Sequence, residues 1–357
     1  MSAPEWEGIK ASGQLEVDLL GNQPSNPPAT PEAAFFNNPT LRIRHFILKI
    51  EDPYVDVLAG QYWVLFGWQS YFHPNTVQIQ GVPGQIFSRT AQLRLSHTFK
   101  SDPVNVEIAV AAARPPQRDS EIPDGQAGLR VLVNPWKGVH TMGGAGTAAD
   151  ALGIGLSGVT RRFALPEFTA SPKGRKGKNG WGFSADAMLP IVPATLEDRA
   201  NALTLTGSFV IGSGIADLYT GLNGGLGAPT YPTGGTAPSP APVDPGLVAF
   251  DASGGLHTID WTSYIVGLQY YLPPSGKIWI SGNVSRMTSK NVNQFVAQTP
   301  AGQGGVFTES LWADGNLFWD LTPAARFGFE YAFFQQMRGD GQKPQNHRVQ
   351  LSTWFLF

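Results

Sequence analysis

The 357-residue chain has no cysteine, so disulfides, thiolate metal sites and cysteine nucleophiles are excluded. Charge is scarce: 15% of residues are Asp, Glu, Lys or Arg, against about 25% in an ordinary soluble domain. Something other than a thick charged surface must therefore meet the surroundings. Neither sign dominates, the net charge being −2 with a pI near 6.3. That rules out a global basic field for nucleic acid and makes any charge selectivity local. Long hydrophobic runs are missing too. No window approaches the roughly 18 uncharged apolar residues of a membrane-spanning helix, and mean hydropathy is −0.12. The opening Met1-Ser2-Ala3-Pro4-Glu5-Trp6 lacks the basic start and apolar core of a secretory signal.

What is abundant is glycine (42), proline (29) and aromatic residues (11%), which favours many turns and β structure over helix. Period-two alternation recurs in segments about ten residues long, the length a tilted strand needs to cross an outer membrane. The last is the clearest: Val349, Leu351, Thr353, Phe355 and Phe357 form one face against Arg348, Gln350 and Ser352. Leu15-Val17-Leu19, Leu203-Leu205-Phe209-Ile211, Tyr264-Val266-Leu268-Tyr270 and Phe327-Phe329-Tyr331-Phe333 repeat it.

The pattern predicts an all-β fold, a transmembrane antiparallel β-barrel of about fourteen strands. They fall near 10–22, 39–51, 54–68, 89–100, 103–115, 126–134, 150–165, 180–190, 200–214, 258–272, 277–289, 306–321, 324–337 and 345–357. Connections alternate independently of the strand pattern. Glu51-Asp52-Pro53, Ser101-Asp102-Pro103, Pro273-Pro274-Ser275-Gly276 and Thr322-Pro323 are short, whereas 23–38, 69–88, 167–179, 216–257 and 291–305 are long. Short turns at one end and long loops at the other are the barrel arrangement. The glycine-rich link 134–149 falls where a short turn is expected. The near-uncharged 216–257 is expected as a long external loop, disordered outside or folded into the mouth. A single barrel domain over 1–357 is expected. Such a protein needs a signal, so the sequence is expected to be a mature form or to lack its 5′ portion. Trp63, Trp68, Trp181, Trp261, Trp319 and Trp354 are expected in interfacial girdles.

With the apolar face outward, Arg42, Arg44, Arg94, Arg130 and Arg161 would line one half of the lumen, with Arg348 on the last strand. Glu16, Asp18, Asp314, Asp320 and Glu330 come from the two chain ends. Opposed basic and acidic walls would impose a transverse field, and arginines offer bidentate sites to carboxylate or phosphate. This predicts a mild anion preference. The bland reading is that each arginine braces a neighbouring acid such as Glu107 or Asp186. Segment 69–88, or the loop near 115–125, is expected to narrow the passage.

Leu58-Ala59-Gly60-Gln61-Tyr62-Trp63-Val64-Leu65-Phe66, preceded by Leu41-Arg42-Ile43-Arg44-His45, resembles the DcaP-like porins. Pro74, Gly84 and Gln92-Leu93-Arg94 are similar as well. The likeness is good over roughly 15–165 and looser beyond, where Asp314, Asn316 and Glu330-Tyr331 resemble porin strands generally. It implies a homotrimeric pore in the bacterial outer membrane, contacting lipid and lipopolysaccharide. The pore would pass small, often anionic, organic solutes by passive diffusion, with no cofactor, no metal and no enzymatic step. Family members have sixteen strands and Leu15 resembles the start of their third, so this chain has sixteen if two N-terminal strands are missing, and is otherwise a smaller barrel.

Other features are weighed against that reading. Lys173 to Lys178 is a basic run in a predicted external loop, suited to lipopolysaccharide phosphates but more often a solvated loop. Gly143-Gly144-Ala145-Gly146-Thr147 is phosphate-cradle-like but opens no helix of a βαβ unit, and Arg338-Gly339-Asp340 is a turn composition. His45, His73, His97, His140, His257 and His347 have no metal-ligand spacing, and His45 and His97 are expected at packing or trimer contacts. The competitors are a barrel enzyme or plugged barrel, for which nothing nominates a nucleophile, and a soluble β-sandwich binding module.

Overall fold

Uninterrupted alternation becomes strand. In the computed structural model, the strands are β1 (Lys10–Gly21), β2 (Thr40–Glu51), β3 (Asp56–Trp63), β4 (Arg89–Lys100), β5 (Val104–Ala113), β6 (Asp124–Thr141), β7 (Thr147–Pro166), β8 (Arg175–Val192) and β9 (Leu203–Ser213). They continue as β10 (Val248–Phe250), β11 (Leu256–Thr258), β12 (Asp260–Tyr271), β13 (Ile278–Thr288), β14 (Phe307–Thr322), β15 (Ala325–Arg338) and β16 (Gln345–Phe355). The described residues are 2–21, 40–68, 72, 76–77, 81–115, 120–141, 146–220, 226–227, 229, 231 and 243–356. His73, Pro74, Gly143 to Ala145, Phe357, the loop 23–38, residues 116–119 and much of 216–257 lie outside them.

Fourteen strands form one antiparallel sheet in the order β1 to β9 and then β12 to β16, while β10 and β11 make a separate hairpin. Each strand pairs with its sequence neighbour, so the whole sheet is a meander. A β-sandwich is thereby overturned, because among the described residues no second large sheet is present to pack against this one. Among the described residues no ladder joins β1 to β16; Ser2 bridges Ser12 of β1.

One face of the wall is apolar and exposed. Leu15, Leu93, Val110, Ile154, Val266, Leu317 and Phe329 are all 40–61% accessible, while their chain neighbours turn inward. Trp181 and Trp319 are on this outer face, as expected of a girdle. Four of the six tryptophans assigned to girdles are not. Trp63, Trp68 and Trp261 are buried and Trp354 half-buried, packed inside. Their parity, or an inward turn of the chain, puts them on the lumen side, and tryptophan near a strand end does not distinguish the two.

Three boundaries differ from the pattern. β3 ends at Trp63, and Val64 to Trp68 leave the wall for the interior. The supposed link 134–149 is mostly strand, because β6 and β7 continue as a hairpin down to Thr141 and Thr147. Glycine lowered the alternation signal there, but pairing with a neighbour restores the ladder. Arg175 to Lys178 belong to β8, so only Lys173 and Gly174 of the basic run are in the loop.

Candidate functional site

The interior is built by a segment that crosses it. After Trp63 the chain is held to the opposite side of the bend by side chains of β6 and β7. Leu65 N and Phe66 N both donate to Gln126 Oε1 (2.9 and 3.0 Å), and Gly67 N donates to Ser157 Oγ (2.7 Å). Trp68 Nε1 donates to the Leu129 and Leu156 carbonyls (3.1 and 3.0 Å). Its ring can lie that close to the wall because Gly128 and Gly155 carry no Cβ; one added there would stand 2.8 and 2.6 Å from the indole. Gly67 makes the turn at φ +77°.

Farther on, the segment reaches β14, where Val77 N donates to Asn316 Oδ1 (3.0 Å). Asp314 orients that amide by accepting from Asn316 Nδ2 (2.6 Å), and also accepts from Asn283 and Trp312. Val82 packs on Ile265, Trp312 and Ala332. The chain returns past β12, where Ser263 Oγ donates to Gly84 O (2.9 Å), and enters β4. Thus the described part of 64–88 is a layer across the lumen, where the sequence placed its narrowing segment.

Above it the described part of the loop between β9 and β12 folds into the mouth. Ile215, Leu218, Tyr219, Leu247 and Val248 are buried with Val64, Phe66 and Ile86. Arg161, 1% exposed at its side chain, fastens this loop. It donates to Asp217 Oδ1 and Oδ2 (2.5 and 2.7 Å), to Gly214 O (2.8 Å) and to Asp124 Oδ2 (2.9 Å). Burying a guanidinium is tolerable only with such full pairing.

The remaining expected residues fall into two groups. Arg42 pairs with Asp18 (2.6 Å), Arg44 with Glu16 (2.5 Å), Arg130 with Glu107 (2.5 Å) and Arg348 with Glu330 (2.6 Å). The acids Glu16 and Asp18 therefore stand beside the arginines on the adjoining strand, and Asp320 is shared by Arg199 and Arg326. Two opposed walls of opposite sign are overturned: antiparallel neighbours put acid beside base within one wall, and local pairing consumes the field. The bulge at Glu16/Val17 lets Arg42, Arg44 and His45 all turn inward, His45 lying against Tyr62 and Trp63. His97 lies instead on the outer wall beside Phe99. Asp186 is buried and accepts from Ser184 Oγ (2.6 Å), not from an arginine.

Arg94 is the exception. It donates to Trp63 O (2.7 Å) and Gln92 Oε1 (3.1 Å) and has no carboxylate partner among the described residues. Two arginines absent from the sequence-derived set behave alike. Arg89 stacks 4.4 Å over Trp63 with its buried Nη1 lacking a hydrogen-bond partner, and Arg114 forms no ion pair among the described residues. Both begin or follow a strand, where alternation is silent about direction.

These residues border two cavities on one flank. One of about 310 Å³, at the long-loop end, is lined by Val64, Arg89, Arg114, Gln126, Arg161 and Asp244 among others. Another of about 630 Å³, at the short-turn end, is lined by β1 to β6, including Lys49, Tyr62, Arg94, Glu107 and Arg130. On β4 the upper cavity touches Thr90 and the lower one Arg94. Gln92 lies between them and donates to Trp63 O (2.8 Å).

Among solved structures, the chain is similar to the outer membrane channel DcaP of Acinetobacter baumannii, with a TM-score of 0.63, 16% identity, and coverage of 99% of this chain and 82% of that one. It is also similar to OmpT, an outer membrane protein of Vibrio cholerae in trimer form (TM-score 0.52, 10% identity, 99% and 88% covered). Salmonella typhi OmpF in complex with daunomycin gives a TM-score of 0.51 at 9% identity, with 99% and 88% covered. At these identities the likeness is one of fold, and the resemblance to DcaP-like porins in the sequence is met at that level. No family model matches the chain, and no curated protein does.

Proposed function

We propose that this chain is a porin of the bacterial outer membrane: a passive diffusion channel for small hydrophilic solutes, working as a homotrimer, with no enzymatic step. The observation that carries the reading is the pair of cavities on either side of Gln92 of β4, one toward each end of the barrel, inside a wall whose outer face is apolar. An apolar outside and a polar, arginine-bearing inside suit a barrel in lipid that passes solute through its lumen. The long-loop end is then external and the short-turn end periplasmic, with lipopolysaccharide around the external rim.

A mild preference for anionic organic molecules, such as carboxylates, belongs to the same reading. Its support is that Arg89 and Arg114 border the upper cavity and Arg94 the lower one with no carboxylate partner among the described residues, whereas Arg42, Arg44, Arg130, Arg161 and Arg348 are paired. An unpaired guanidinium in a narrow passage attracts an anion at short range. Glu107, Asp314 and Glu330 act in this reading as braces of the lumen.

The test is single-channel conductance and reversal potential of the detergent-folded protein in a planar bilayer under a salt gradient. Openings in groups of three, with an anion-biased reversal potential that moves toward zero in Arg89→Ser/Arg94→Ser, are expected. A bilayer that stays tight despite confirmed insertion refutes the pore and favours a plugged barrel. An unchanged permeability ratio in the double variant refutes the anion preference alone.

A further inference from the structure

The tip of the β6–β7 hairpin does not behave as wall. A strand in the wall buries alternate residues, yet Gly138, Val139, His140 and Thr141 are four consecutive buried residues. Both faces of the strand are therefore covered, which happens only if it has left the sheet surface for the interior. The departure has a local cause. Val133 pairs with Leu152 and Lys137 with Ala151, so Asn134, Pro135 and Trp136 are unmatched. Such an insertion bends the bulged strand, and Pro135 has no N–H for the ladder. Trp136 Nε1 donates to Pro190 O (2.6 Å) and pins the bend against β8.

Beyond the bend the hairpin runs across the barrel's short-turn end. Thr204 Oγ1 of β9 donates to Val139 O (2.9 Å). Thr141 N donates to Gln269 Oε1 (2.9 Å), and its hydroxyl meets Tyr271 OH (2.7 Å), both on β12. On the returning strand, Thr147 Oγ1 accepts from Arg326 Nη2 of β15 (3.2 Å), and Arg199 Nη1 stands at 3.4 Å. Asp320 holds both guanidiniums, at 2.6 and 3.0 Å. β15 is six places from β7 in the order of the sheet, so Thr147 nearly reaches the far wall.

The tip also touches the constricting layer. Val139 and Val77 belong to one fully buried apolar cluster with Tyr271, Trp279, Phe318 and Ala202. The Trp279 and Phe318 rings stack at 3.8 Å and 8°. Hairpin, aromatic stack and crossing segment are thus one packed column. The 630 Å³ cavity lies to the other side, against β1 to β6.

We propose that the described end of the β6–β7 hairpin, Gly138 to Thr141 with Thr147, is a fixed stopper at the short-turn end, which closes the β9–β15 half of the lumen and props the constricting segment at Val77. Solute then passes along the β1–β6 flank, against which the 630 Å³ cavity lies. The contacts fit a fixed element, not a flap: Val139 O and Thr141 N are taken up by wall side chains, and the Val139 side chain is at 0% exposure. The proposal rests on the porin reading, and the experiment separates the two.

Conductance is compared in planar bilayers for the unaltered protein, for a variant with Asn134–Asp150 replaced by a short Asn-Gly turn, and for Val139→Asp. Each is first checked for heat-modifiable migration of a folded barrel. The carboxylate of Val139→Asp enters an apolar layer and should expel the tip without shortening the chain. The expected result is an increase of about twofold or more in single-channel conductance in both variants, since roughly half of the floor is freed. Unchanged conductance in whichever variant folds overturns the stopper. Absence of channels in the unaltered protein overturns the porin reading itself.

Discussion

Asp217→Asn isolates the fastening of the mouth loop. Arg161 is 1% exposed, Asp124 4% and Asp217 14%, and the carboxylate of Asp217 takes two of the four hydrogen bonds donated by that guanidinium. Removing one partner of a buried ion pair costs about 3–5 kcal/mol when the charge is left alone. Here Asp124 and Gly214 O remain, so the lower end, about 3 kcal/mol, applies. At 1.4 kcal/mol per decade that is about a hundredfold in the opening equilibrium. The loop should loosen without leaving, because Ile215, Ala216, Leu218 and Tyr219 stay buried among Val64, Phe66 and Ile86. Amide exchange of the folded protein in detergent should therefore speed up about a hundredfold over Ile215 to Tyr219, while the β7–β8 ladder keeps its protection. Exchange at those amides within about threefold of the unaltered protein would refute the idea that this ion cluster, and not the apolar packing, sets the loop's position.

Gly67→Ala tests the entry of the constricting segment. The φ of +77° and an added Cβ 2.9 Å from Ile86 Cβ should together lower stability by about 1–3 kcal/mol, read as a lower thermal midpoint in detergent with an unchanged strand signature. The β10–β11 hairpin carries a pH prediction. Ser253 above all, then Gly255 N–H and His257, holds the Asp251 carboxyl well below the usual carboxylate range. A depressed folded-state value means that the contribution is complete above the unfolded value of about 3.9 and is lost only as pH falls through the lower folded one. Protection of the Gly255 amide should thus persist at about pH 3, and Asp251→Asn should abolish it at every pH; loss of protection already between pH 5 and 4 would contradict the assignment.

The sequence by itself determined the wall. Its fourteen strands, their order and their outward apolar parity follow from period-two alternation and from turns and loops that alternate in length, because a meander pairs only sequence neighbours. The positions of Arg42, Arg44, Arg94 and Arg130 on the lumen side were legible for the same reason. Tertiary structure alone decided what fills the lumen. Whether an arginine is paired depends on register between strands, which bulges such as that at Glu16/Val17 reset. Whether Trp68 lies at a membrane interface or on Gly128 and Gly155 depends on a bend at Gly67. That Val139 in the glycine-rich link after Asn134 is buried depends on Tyr271, Trp279 and Phe318, which are separated from it in sequence by more than a hundred residues. Alternation is a local property of the chain, whereas packing across a barrel joins residues that share no local pattern, so the wall is written in the sequence and its contents only in the fold.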